Sequence, residues 1–296
     1  MEINNITLDH EYYRESYLDL RKFSDSELEQ HFKNHGIDEG RISSFYSLRE
    51  NLISLILNKG YKSLEIGPFF APALRGKNVF YFDALTTSEL ISRAKKLNIQ
   101  DANTDIDINN IPDINYSDPE GNLNIINDSF DVILSSHCIE HQPNLIKHLN
   151  DVFKLLNDRG RYFVIIPDKR YCFDHYLPTS NIAEIIQADY ENRTIHSLRN
   201  VIEHRSLLTH NDSIEHWKGN HGHISNDNIM DRLSSAVSEY ETSNSQYIDV
   251  HAWQFTPQSM HTILTQLEIA NKISFSSKKV FTTPWGRNEF IVILEK

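Results

Sequence analysis

Glu65-Ile66-Gly67 and Asp83 are the residues whose types and spacing most directly suggest chemistry. The first group ends a short apolar run and opens a turn, and Asp83 ends a second apolar run, Val79 to Phe82. In an open α/β sheet, ligands collect at the carboxyl ends of the strands, and an acid at the tip of the second strand is well placed to bond ribose hydroxyls. A pyrophosphate needs several glycines so that backbone can approach it closely, but here Gly67 is followed by Pro68, Phe69, Phe70, Ala71 and Pro72. The stretch reads as half of a phosphate-free nucleoside site. S-adenosylmethionine, with a ribose and an adenine but no pyrophosphate, suits it.

A second concentration of reactive types lies further along. His204, His210, His216, His221, His223 and His251, with Asp249, gather around Trp217 and Trp253. Imidazole donors and flat aromatic faces suit the hydroxyls and C–H faces of a sugar, so this group reads as a carbohydrate-binding wall. The weaker reading is a divalent metal on His221, His223 and His251, able to polarise a sugar diol. That spacing matches no standard zinc signature.

Positioning these residues requires a regular frame, and the apolar periodicity supplies one. Leu48, Leu52, Ile53 and Ile56 mark one face of a helix that Gly60 ends before the first strand. After Asp83 a helix is expected from about Thr87 to Lys96, then an Asp- and Asn-rich loop at 101–110 and a third strand near 111–116. Val132 to His137 reads as strand four. Leu145, Leu149, Val152, Phe153 and Leu156 form a helix, Gly160 a tight turn, and Tyr162 to Pro167 strand five. Alternating helices and near-continuous apolar strands indicate a mostly parallel sheet with helices on both faces. Residues 175–250 break the rhythm and read as a helical, histidine-rich insertion. A helix near 258–267 and a terminal strand pair, 273–281 and 289–294, close the chain.

Residues 1–44 form a separate block with two short amphipathic helices, marked by Tyr12, Tyr13, Tyr17 and Leu20 and then by Leu28, Phe32, Gly36 and Gly40. The expected organisation is this helical module followed by one large domain over 45–296. With 29 basic against 41 acidic side chains and a net charge of −12, the chain is not built for a general grip on nucleic acid. Two cysteines, Cys138 and Cys172, without a C-x-x-C pair, fit a cytoplasmic protein. No apolar run reaches the ~20 residues that span a bilayer, and the polar opening Met-Glu-Ile-Asn-Asn has no signal-peptide layout. Any membrane contact is expected to be peripheral, at the inner face.

With the pieces in order, the chain from about Leu48 onward resembles the class I S-adenosylmethionine-dependent methyltransferase superfamily. Leu64-Glu65-Ile66-Gly67 is similar to its first motif and Phe82-Asp83 to its second. Asp118 through Asp131 resembles the adenine-side acid and the turn into strand four. Ser136-His137-Cys138-Ile139-Glu140-His141 resembles the run into the next helix, and Leu155 through Arg161 the turn into strand five, with Arg159 in place of its first glycine. Glu65-Ile-Gly-Pro68, Pro167 through Asp174, Asp249 through Pro257 and Asn288-Glu289-Phe290 resemble a subgroup associated with bacterial glycan and surface-polysaccharide biosynthesis. The segment from Tyr13 to Arg41 resembles a repeat found beside glycosyltransferases of such systems.

The resemblance implies a Rossmann-like seven-stranded sheet with an antiparallel seventh strand. It implies cofactor contacts from Glu65, Gly67, Pro68, Asp83, Asp118, Ser136 and His137, with Asp118 toward the adenine. The acceptor would meet the ends of strands four and five: His137 as base, Asp168, then Lys169, Arg170 and Tyr171. Trp217, His221, His223 and Trp253 would line the acceptor wall, with His251 as an alternative base. Asp168 and Lys169 have a second reading, as an ion pair fixing the loop after strand five. The expected activity is O-methylation of a sugar or glycan intermediate, with a small-molecule or glycan acceptor and a glycosyltransferase as candidate partner. The competing reading is a non-catalytic methyltransferase-like module that binds glycan or recruits a glycosyltransferase.

Overall fold

The computed structural model describes residues 7–100, 106–244 and 246–296. The opening pentapeptide and part of the 101–110 loop lie outside these. Helix α1, His10–Ser16, is capped by Asp9, and α2, Asp25–His31, opens with a Ser24/Glu27 capping box in which each side chain bonds the other's backbone amide. A π turn, Phe32–Gly36, follows. Tyr13, Leu20, Leu28 and Phe32 form a small core of their own. The block docks through backbone: Thr7 N donates to Val280 O, and Trp285 N to Gly40 O.

Helix α3, Arg49–Lys59, ends at Gly60, whose left-handed backbone turns the chain into β1, Ser63–Ile66. There follow β2, Val79–Asp83, α4, Thr87–Gln100, β3, Tyr116–Ser117, β4, Phe130–Ser136, α5, Leu145–Leu155, and β5, Leu156–Pro167. The insertion carries α6, Ile182–Tyr190, α7, Leu198–Ser206, α8, Ser213–Trp217, and α9, Ile229–Thr242. Helix α10, Pro257–Ile269, β6, Ser277–Val280, and β7, Glu289–Glu295, finish the chain. The sheet order is β3-β2-β1-β4-β5-β7-β6, parallel except that β7 runs antiparallel to both β5 and β6.

Strand alternation explains how one sheet serves two cores. Tyr162, Val164 and Ile166 of β5 face the α5, α6 and α10 side, and Phe163 and Ile165 face the α3 side. The third strand is shorter than the 111–116 run predicts, because Asn115 and Ile114 bond Tyr81 and Thr87 before the ladder begins. Strand five begins earlier than expected. Gly160 is not the left-handed residue of its turn; Arg159 is, at φ 61°.

One buried polar network crosses the core: Tyr162 Oη meets Ser135 Oγ at 2.6 Å and His148 Nε2 at 2.9 Å. Burial pushes the His148 imidazole down to about 4, so it folds neutral. Between its unfolded value of 6.5 and about 4, the unfolded chain takes up a proton that the fold refuses. Stability therefore declines as the pH is lowered across that window, by up to ~3 kcal/mol for this group. Thermal melts of His148→Gln should show a flatter dependence from pH 6.5 to 4 than the parent. An unchanged slope would mean the network does not hold the neutral form. Burial lowers His196 and His204 as well, so part of the slope will remain.

Candidate active site

The turn after β1 is held by two acids. Glu65, 2% exposed, accepts from Ala73 N at 2.7 Å and Leu74 N at 2.8 Å, one amide on each oxygen. Burial raises its carboxyl to about 6, against the pull of those amides. Asp83 accepts from Phe69 N at 3.1 Å and Leu85 N at 3.0 Å, again one per oxygen, leaving acceptor capacity on both. Its pKa is raised by burial, with the amides opposing. Gly67 is left-handed at φ 69°, and a Cβ there would stand 3.2 Å from Cys138 Sγ. A side chain would strain the turn and press on the tip of β4. Phe69, left-handed at φ 49°, leans outward onto Phe70, with the Arg93 guanidinium 5.1 Å above its ring. Asp118 Oδ1 accepts from Glu120 N and Asn122 N, both at 3.0 Å, closing its own loop beside the backbone of Asp83.

Beyond Cys138 the strand tips open into a cavity of about 330 Å³, lined by His137, Glu140, His141, Phe173, Asp249 and His251 among others. His137 sits at the end of β4 in a left-handed conformation, φ 49°, and its Nε2 donates to Glu289 Oε2 at 2.7 Å. Arg49 reaches the same carboxylate at 3.2 Å and Ser136 Oγ at 2.7 Å. Burial works against the charged imidazole, but the Glu289 bond and the charges of Glu140 and Glu289 raise His137 above its ordinary value. His251 Nδ1 bonds Asp174 Oδ2 at 2.6 Å. His141 Nδ1 stands 3.1 Å from Asp249 Oδ1, and that contact, ahead of the opposing effect of burial, holds the Asp249 carboxyl well below its usual range.

The expected acceptor residues divide. Asp168, fully buried, accepts from Arg170 Nη2 at 2.6 Å, Arg170 Nε at 3.0 Å, Arg170 N at 3.0 Å and Thr283 Oγ1 at 2.6 Å. A carboxylate so occupied is a clamp for its loop rather than a base, and its ion-pair partner is Arg170, not Lys169. Lys169 Nζ turns instead to His175 O at 2.6 Å. Tyr171 stacks on Trp217 at 3.9 Å and 8° between planes, and Trp217 Nε1 donates to Arg287 O. Trp253 is 3% exposed, packed in the main core with its Nε1 on Gln142 O, so it cannot form a sugar-facing wall. Its apolar bulk won over its aromatic face.

Nor do the histidines form one group. His175, His210, His216 and His221 stack in one column, with His221 3.8 Å from His175. His251 belongs with Glu140, His141, Asp174 and His204, and His223 lies in a separate hollow beside Arg205 and Arg232. His221, His223 and His251 are therefore not brought together. The sequence alone gave Glu140, His141, Asp174 and Glu289 no role, although all stand inside the motif runs. The signal was their adjacency to His137, Phe173 and Asn288.

Among the described residues no helix is long and apolar enough to cross a membrane, and both cysteines are free and buried. No curated protein sequence matches this one. Similar solved structures include a proposed O-methyltransferase from Nostoc punctiforme PCC 73102, with 11% identity, a TM-score of 0.37, and 99% of this chain and 63% of that one covered. Others are the CurJ carbon methyltransferase, 12% identical with a TM-score of 0.40 over 84% and 54% of the two chains, and the CcbJ methyltransferase from Streptomyces caelestis, 14% identical with a TM-score of 0.30 over 45% and 56%. This chain thus spans little more than half the length of those proteins, and likeness at that level says nothing about residues or substrates. Residues 45–225, from just before α3 through most of the insertion, match the family described as the methyltransferase domain, and the chain belongs to that family.

Proposed function

We propose that the protein is an S-adenosylmethionine-dependent O-methyltransferase acting on a hydroxyl of a sugar or glycan intermediate. One observation carries the reading: Cys138 joins two halves of a site. On one side its Sγ seals the floor of the Gly67 turn beside Asp83, and on the other its neighbours His137 and Glu140 line a polar cavity.

The residues present fit the cofactor. Asp83 keeps a free acceptor position on each oxygen for ribose hydroxyls, and the missing Cβ of Gly67 keeps the backbone low where a ribose would lie. Asp118 Oδ1 already closes its own loop, which leaves Oδ2 for the adenine side. When bound, the cofactor supplies an electrophilic methyl carbon on a positively charged sulfur and leaves as the neutral thioether.

The chain itself must orient the acceptor oxygen and take its proton. His137 is suited to taking the proton when its ring is neutral, because Glu289 fixes the ring through Nε2 and leaves Nδ1 on the cavity side, 3.8 Å from Glu140. The lining of imidazoles and carboxylates offers hydrogen-bond partners to a polyol, while Asp168 and Trp253 act by holding the frame. Calorimetric titration with S-adenosylmethionine should show one site, and incubation with sugar acceptors should yield a product heavier by one methyl group. Absence of both heat and thermal stabilisation by the cofactor would sink this reading.

A further inference from the structure

Among the described residues, Glu140 is a buried carboxylate without a hydrogen-bond partner. The residue is 0% exposed, and both carboxylate oxygens stand unpartnered. A buried carboxylate left without a partner costs several kcal/mol, so something must compensate it. No lysine or arginine reaches it among the described contacts. Imidazoles do approach: His137 Nδ1 and His141 Nε2 each stand 3.8 Å from Oε1, and His251 Nε2 stands 4.0 Å away. These gaps are too long for hydrogen bonds.

The other nitrogen of each ring decides what faces Glu140. His251 Nδ1 is 2.6 Å from Asp174, His141 Nδ1 is 3.1 Å from Asp249, and His137 Nε2 is 2.7 Å from Glu289. An ionised carboxylate only accepts, so His137 and His251 donate outward to Glu289 and Asp174 and turn their other ring nitrogen toward Glu140. Ring nitrogens of three histidines and a buried carboxylate thus converge on one point. Such an arrangement is stable around a cation. A histidine that binds a metal characteristically gives its other N–H to a carboxylate, as His251 does to Asp174 and His137 does to Glu289.

We propose that Glu140, His141 and His251 hold a divalent transition-metal ion at the floor of the cavity. The ligating atoms of these three all lie within 4.8 Å of one another. Metal bonds of ~2.0–2.2 Å to nitrogen and oxygen place ligand atoms about 3–4 Å apart, so little movement is needed. The backbone brings the set together: Glu140 O accepts from Ala252 N at 2.7 Å and Trp253 N at 3.2 Å, which pins residue 251 against residue 140. Two imidazoles and one carboxylate leave coordination positions open toward the cavity, the mark of a working rather than a structural site.

The role of the ion rests on the methyl-transfer reading, although the site does not. An acceptor hydroxyl bound to the metal loses its proton more easily. That proton passes to His137, the oxygen lone pair forms the bond to the methyl carbon, and the carbon–sulfur pair stays on sulfur as the neutral thioether departs. A vicinal diol filling two open positions would be preferred over an isolated hydroxyl.

The test is metal titration of the full chain after chelator treatment, with Zn²⁺ followed by calorimetry and Co²⁺ by visible absorption. One equivalent per chain is expected, weakened at least 100-fold in Glu140→Gln and in His141→Asn. His221→Asn, in the stacked column away from this cavity, should bind as the parent does, and Asp174→Asn should bind ~10–100-fold more weakly. Circular dichroism establishes that each variant is folded, and His141→Asn serves if Glu140→Gln is not. The proposal is overturned if the parent binds no stoichiometric metal, or if binding survives both ligand variants. Loss in Asp174→Asn and His204→Asn alone also overturns it, since the ion would then sit on Asp174, His204 and His251. Cofactor titration is separate: its failure removes the methyl-transfer reading and leaves the metal result standing.

Discussion

Asp83→Asn is expected to weaken binding of S-adenosylmethionine and of its demethylated product about 100-fold, with a smaller loss of stability. The carboxylate ends β2 with one oxygen on Phe69 N and the other on Leu85 N. Hydrogen bonds to a charged acceptor contribute ~1.5–3 kcal/mol each, and a ribose diol would draw two of them. Asparagine has one acceptor atom and presents its amide N–H₂ where the second was, so it confronts either a hydroxyl or a backbone amide with a donor. Calorimetry with the demethylated product measures the first effect, and thermal melting the second. Affinity within about threefold of the parent would remove the ribose role from Asp83, and with it the main support for the cofactor half of the site.

Asp168→Asn should be the most destabilising conservative change, by about 2–4 kcal/mol, because it leaves a guanidinium without its counter-charge. The figure is kept below that of a fully buried pair since the Arg170 side chain is 37% exposed. Asp168 joins four segments: it follows β5, bridges to residue 255, accepts from Thr283 Oγ1 on its carboxylate and donates its backbone N–H to Asn288 O. Chemical denaturation measures the loss. Cofactor affinity should stay near that of the parent, because the clamp lies on the acceptor side. If stability is unchanged and turnover alone collapses, Asp168 is catalytic after all and the clamp assignment is wrong.

The frame was readable because its signals are local. Apolar periodicity marks β1, β2, β4, β5 and α5, and Gly60 and Gly67 mark turns that need a left-handed residue. Glu65, Gly67 and Asp83 fall within one strand–turn–strand unit, so their convergence follows from chain connectivity alone. Arg159 shows the limit even there: a residue type that disfavours the left-handed region takes it at φ 61°, and Gly160 beside it does not.

The acceptor side was only partly readable. Which histidines meet depends on which loops gather at the strand tips, and no periodicity records that. His137 meets Glu289 across 152 residues, and His251 meets Asp174 across 77. Trp253 looked like a sugar platform by type, but its burial among Ile139, Leu145 and Met260 is a property of how the returning segment packs.

By itself, then, the sequence determined the alternation of strands and helices, the methyltransferase resemblance and the acid-flanked glycine turn, because each is written in residues near one another along the chain. Only the tertiary structure decided that Asp168 is a clamp, that the histidines separate into distinct groups, and that Glu140 is ringed by imidazoles whose far sides rest on carboxylates. The physical reason is that a buried charge is defined by its neighbours in space, and those neighbours come from four distant segments that only the folded sheet brings to one point.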